Sequence, residues 1–107
     1  MNTYYPDGWV IIRIKNTLKV FACWSGGYAQ SDSWKLNSGI KLLEEFPNHY
    51  KVTGYSDSVY ILNKNAEDRL NAYGHSILQI INRQVKDRYD VDIEIIPVED
   101  AEKIING

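Results

Sequence analysis

Apolar residues recur in two rhythms along this chain: nearly alternate positions up to Leu62, and every third or fourth position after it. Residues 9–15 read WVIIRIK, with β-branched side chains at four of seven positions, which predicts a strand. Residues 18–24, LKVFACW, predict a second, with Asn16 and Thr17 as a tight turn between them. In that register Lys15 faces Leu18, Ile12 faces Phe21 and Trp9 faces Trp24. Alternation then places Val10, Ile12, Ile14, Phe21 and Cys23 on one face. Trp9, Ile11, Arg13, Leu18, Val20, Ala22 and Trp24 fall on the other. Both faces are largely apolar, whereas a small antiparallel sheet usually wets one. Either the chain covers both, or one meets a partner subunit.

Residues 34–41 predict the start of a third strand, interrupted by a turn at Asn37, Ser38 and Gly39. Residues 40–46 fit a strand or a short helical turn, ended by Pro47 and Asn48. Residues 49–55 and 58–62 read as strands joined across Ser56 and Asp57, so that YSDSVY presents hydroxyls and a carboxylate between Tyr55 and Tyr60. Residues 66–70 suit a short helix capped by Asn63 or Asn65, and Gly74 weakens its continuity with the next helical segment. Residues 76–89 carry Ile77, Leu78, Ile81 and Val85 at helical spacing, with Ser76 as the natural cap. Residues 90–96 predict a last strand ended by Pro97, and residues 99–105 a short terminal helix. The pattern therefore predicts one α+β domain over residues 1–107. Its antiparallel sheet has five or six strands, with the 76–89 helix packed on one face. The last strand joins that sheet or pairs with another subunit.

Composition narrows the class. The 107 residues have room for one core of ordinary size. With 44% apolar residues, 24% charged residues and a net charge of −2, the chain reads as folded rather than disordered. That charge also argues against a surface that attracts nucleic acid as a whole. Arg13, Lys15, Lys19, Lys35, Lys41 and Lys51 are spread over several elements and predict no continuous basic groove, so nucleic acid is not an expected partner. Residues 90–102 hold six acids and no base, but Val91, Ile93, Ile95 and Ile96 interleave with them, which fits a strand with a solvated face. No signal-peptide pattern opens the chain, and no apolar run approaches a membrane span. A cytoplasmic protein without a membrane partner is the expectation.

Signatures of chemistry are few. The single cysteine, Cys23, excludes an intramolecular disulfide and falls on a core face beside Ile12 and Phe21, where a thiol is unreactive. His49 and His75 are far apart, and no zinc or calcium spacing occurs. Asp90, Asp92 and Glu94 would share one strand face, which a solvated edge explains as well as a cation does. No serine sits in GxSxG. Gly26 and Gly27 form no phosphate-loop motif, although a turn there can aim backbone N–H groups at an anion. No catalytic residue, metal or cofactor is therefore expected.

Aromatic residues carry the remaining signal. The chain has three Trp and eight Tyr, several beside polar turns, and residues 24–39 read WSGGYAQSDSWKLNSG. Trp24, Tyr28 and Trp34 offer stacking surfaces, Arg13 a cation for phosphate, and Ser25, Ser33, Asn37 and Asp57 polar recognition. Such a set suits a nucleotide-like small molecule. The same residue types suit a protein contact, which favours Trp, Tyr and Arg. A concave pocket joining Arg13, Trp24 and Tyr28 is the mark of the first reading, and a flat or convex patch that of the second.

GWVIIRIK at residues 8–15, WSGGY at 24–28, DSWKLNSG at 32–39 and GYSDSVY at 54–60 resemble a group of small accessory proteins encoded by tailed phages. The resemblance covers about a quarter of the chain and carries no catalytic assignment. In size and aromatic-plus-arginine chemistry the chain is also similar to the Thoeris anti-defence sponges, small sheet domains that sequester a cyclic ADP-ribose-type signal between subunits. These resemblances imply a non-enzymatic homo-oligomer in the host cytoplasm that sequesters a nucleotide-derived defence signal. The alternative they leave is a protein-interaction module that binds and inhibits a host protein.

Overall fold

A computed structural model describes residues 2–26 and 31–107. Within them the chain runs through β1 (Thr3–Tyr4), β2 (Gly8–Ile14), β3 (Thr17–Trp24), β4 (Ser33–Leu36), β5 (Ile40–Glu45), β6 (His49–Gly54) and β7 (Val59–Asn63). A 3-10 turn at Lys64–Ala66 leads to α1 (Ala72–Tyr89), β8 (Glu94–Ile96) and α2 (Val98–Asn106). The α+β class holds. The single sheet does not: the strands form two four-stranded sheets, ordered β4-β3-β2-β8 and β1-β7-β6-β5.

Two sheets arise because both faces of the β2–β3 hairpin are apolar. Trp9, Ile11, Val20 and Ala22 pack in one core with Leu43, Tyr50, Val52, Tyr60 and Leu62 of the second sheet and with Val98 and Ala101 of α2. Val10, Ile12 and Phe21 pack on the other side with Leu78, Ile81 and Val85 of α1. Both faces are thus covered within the chain. The apolar second face no longer points to a partner subunit.

The hairpin register differs from the expected one by two positions. Ile14 pairs with Thr17, Val10 with Phe21 and Trp9 with Ala22, while Trp24 pairs with Ser33 of β4. The turn is Lys15 and Asn16, and Lys15 takes the positive φ of 57°. A two-residue slip leaves every side chain on its original face, so alternation alone does not distinguish the registers. The face assignment accordingly holds.

The main helix begins a turn before Ser76. Asn71 is its cap, its side-chain oxygen accepting from the Gly74 N–H at 2.7 Å. Gly74 lies where a Cβ would come within 3.2 Å of Cys23 Sγ, so its lack of a side chain lets α1 close on β3. The last strand is shorter than residues 90–96. Asp90, at φ 58°, closes α1 by donating its N–H to the Lys86 carbonyl. Only Glu94–Ile96 pair, and they pair with β2 of the same chain. Asp90, Asp92 and Glu94 therefore do not share a strand face. Thr3 and Tyr4 run parallel to β7, an element that the alternation did not predict. Among the described residues no helix is long and apolar enough to cross a membrane.

Candidate functional site

The two sheets are flanked differently on their two sides. α2 packs its buried Val98 and Ala101 into the core, and Asn106 Nδ2 donates to the Leu43 carbonyl of β5 at 3.1 Å. Away from α2, the edge strands β1 and β4 border an open groove. The groove has two adjoining hollows, of about 590 and 440 Å³, which share Tyr4, Trp34 and Lys35. Lys19, Leu36, Asn37, Ser38, Ser56, Ser58 and Tyr60 complete the first, and Trp24, Ser25, Gly26, Ser31 and Ser33 the second.

Alternation on β3 and β4 builds the aromatic end. Trp24 and Ser33, directly paired, face the sheet interface, and Trp24 Nε1 donates to the Tyr5 carbonyl at 2.9 Å. The Tyr4 ring meets Trp24 edge-on at 6.2 Å and lies tilted over Tyr60 at 5.2 Å. Trp34, paired with Cys23, turns to the opposite face of the sheet, where it stacks on Phe21 at 5.9 Å beside the α1 core, so β4 borders the groove without presenting this ring to the sheet interface. Burial, together with Tyr4, raises the Tyr60 pKa above its ordinary value.

Loop geometry builds the polar end. Asn37 is almost fully buried where the chain leaves β4 for β5. Its Oδ1 accepts from the Val20 N–H at 2.9 Å and the Gly39 N–H at 3.3 Å, and its Nδ2 donates to the Gly39 carbonyl. The β6–β7 turn is tied to this corner by the Ser56 N–H, which donates to Ser38 Oγ at 3.0 Å. Serine hydroxyls from two separate turns therefore meet. Lys19 Nζ donates to the Asn37 carbonyl at 3.3 Å, and Lys35 Nζ sits 4.9 Å from the Tyr4 ring centroid. Among the described residues neither lysine has a carboxylate partner, and no carboxylate, histidine or cysteine lines either hollow.

The structure brings Trp24, Ser25, Ser33 and Asn37 of the expected site residues to the groove, and places Trp34 on its edge strand with the ring turned to the α1 face. It removes Arg13. That side chain is held bidentately by Glu94, at 3.2 and 2.9 Å, and each partner favours the charged form of the other. Arg13 pairs with Leu18 at the turn end of the hairpin, and six residues of strand, about 20 Å, separate Leu18 from Trp24. Asp57 is removed too. At φ 67° it projects from the β6–β7 turn toward Lys41, 3.6 Å away, while its neighbours Ser56 and Ser58 line the groove. Asn37 is present, but its amide is committed to the backbone. Tyr28 lies outside the described residues.

The backbone anion nest expected near Gly26 is already answered from within. The Ser25 N–H donates to Asp7 Oδ2 and the Gly26 N–H to Asp32 Oδ1, both at 2.8 Å. Cys23 is buried, and desolvation raises its thiol pKa. No group of three His, Cys, Asp or Glu side chains placed to hold a metal occurs among the described residues. Tyr4, Lys19, Lys35, Leu36, Ser38, Ser56, Ser58 and Tyr60 in the first hollow, and Gly26 and Ser31 in the second, are lining residues that the sequence reading did not assign to the site. The YSDSVY turn was a usable signal for the two later serines, and nothing local marked Tyr4. Compared with protein-family models, curated proteins and solved structures, the chain matches none of them.

Proposed function

We propose that this protein captures a small, anionic, ring-bearing molecule of the nucleotide class in the groove between β1 and β4, without turning it over. One observation carries the reading: a concave surface combines Trp24 and Tyr4 with two lysines and a set of serine hydroxyls, and no carboxylate among the described lining residues opposes an anion. Rings supply stacking, ammonium groups supply charge, and hydroxyls supply orientation. The resemblance to phage accessory proteins supplies the biological sense, sequestration of a host defence signal in the host cytoplasm. Homo-oligomerisation rests on that resemblance alone, since α1 and the second sheet cover both faces of the hairpin. Effective sequestration needs sub-micromolar affinity, about −8 kcal/mol or better.

Native mass spectrometry of the protein after exposure to a nucleotide-rich cell extract tests this. The expected result is a retained small molecule on the wild-type chain and its loss from Trp24→Ala. A protein that retains no small molecule but carries a host polypeptide belongs to the interaction class instead.

A further inference from the structure

The two hollows of the groove differ in chemistry, and they lie in a fixed order along β4. Resting on the small-molecule reading above, we infer that the ligand is a nucleoside di- or polyphosphate read in two halves: its ring at the Trp24 end and its phosphates at the Lys19 end. The ring end holds Trp24 and Tyr4, whose rings meet edge-on, with Ser25 and Ser33 in the same lining. The phosphate end holds Lys19, Ser38, Ser56 and Ser58, contributed by β3 and two turns that the Ser38–Ser56 contact locks together. Lys35 belongs to both hollows and stands at their junction.

Length selects the class. From Ser33 to Asn37 the chain advances four residues, about 13 Å of extended strand. A lone ring reaches only one end of that span, whereas a ring, a sugar and two phosphates reach both. The lysines are poised for this exchange. Each is held by a contact that a phosphate readily replaces, a single backbone carbonyl for Lys19 and a ring face for Lys35. Arg13, Lys41 and Lys64 differ, because each already meets a carboxylate.

Calorimetric titration of the intact protein with ADP, adenosine and pyrophosphate, at low and high salt, tests the assignment. ADP is expected to bind at least about tenfold more tightly than either fragment, with an affinity that falls as salt rises while that for adenosine does not. Lys19→Gln and Ser58→Ala should each weaken ADP, Lys19→Gln by about tenfold, and leave adenosine unchanged. Adenosine binding as tightly as ADP overturns the phosphate half and leaves the capture of a ring-bearing molecule standing. Pyrophosphate matching ADP overturns the ring half. Failure of all three to bind overturns both this inference and the reading beneath it.

Discussion

The side of the sandwich that α2 covers and the side where β1 and β4 border the groove end in opposite states. Beside α2 the polar groups are answered. Val98 donates its N–H to Glu67 Oε2 at 2.9 Å, Asn106 reaches the Leu43 carbonyl, and Val98 and Ala101 are buried. Beside β1 and β4 the Tyr4 and Trp24 rings meet edge-on yet keep open surface, and the lysines end on a carbonyl and a ring face. The contrast separates aromatic side chains that hold the sandwich together from those left over. Trp9 and Trp34 mark its two ends, one with no exposure and the other 38% exposed.

The largest effect is expected from Trp9→Ala. That indole fills the interface between the sheets, donates Nε1–H to the Asn63 carbonyl at 2.8 Å and meets the Tyr50 ring edge-on. Its loss should cost about 3–5 kcal/mol in denaturant unfolding. A cost below about 1 kcal/mol would mean that the two sheets do not share the core described.

Asn37→Ala comes next and tests the corner from which the groove is hung. Removing Oδ1 leaves the buried Val20 N–H without that partner, at about 1–3 kcal/mol. A cost below about 0.5 kcal/mol would mean that the Asn37 side chain does not tie this corner together.

Glu67→Gln probes the covered side, with a smaller effect and a pH signature. Burial raises the Glu67 pKa, with Glu99 and Asp68 adding to the rise and the Val98 N–H opposing it. The folded state therefore holds this proton more tightly than the unfolded one. Stability from this group is fully present below the unfolded pKa and is lost as pH rises through the folded one. Gln keeps an acceptor for Val98 and never charges. The variant should gain most relative to wild type at neutral pH, with the gain shrinking as pH falls into the ordinary carboxylate range. A difference that does not vary with pH would show that the carboxylate is not desolvated in this way.

Most of the strand content was readable because alternation survives even register errors: the faces of Trp9, Ile11, Val10 and Ile12 were right although the pairing was two residues off. The second sheet was not readable, because doubly apolar strands signal two covers without naming them. Of the groove, the parts on β3 and β4 were legible from WSGGY and DSWKLNSG. Tyr4 was not, since its place depends on a two-residue parallel pairing with β7, far away in sequence. Arg13 and Asp57 misled for a shared reason. Each is a charged residue near aromatics in sequence, and each finds an opposite charge in space that no local pattern reveals.

The smallest stability effect should come from Trp34→Ala, and that is what makes it useful. The ring stacks on Phe21 from outside, so its removal should cost only about 1 kcal/mol, a fraction of the Trp9 loss. Stacking on a ligand ring, in contrast, is commonly worth about 1–3 kcal/mol per base, roughly tenfold or more in affinity. Because Trp34 turns away from the groove and Trp24 turns into it, Trp34→Ala should unfold nearly as wild type and bind ADP and adenosine as wild type does, whereas Trp24→Ala should bind both about tenfold more weakly. If Trp34→Ala weakens binding as much as Trp24→Ala does, the ligand's ring sits on the α1 face of β4 and not in the groove.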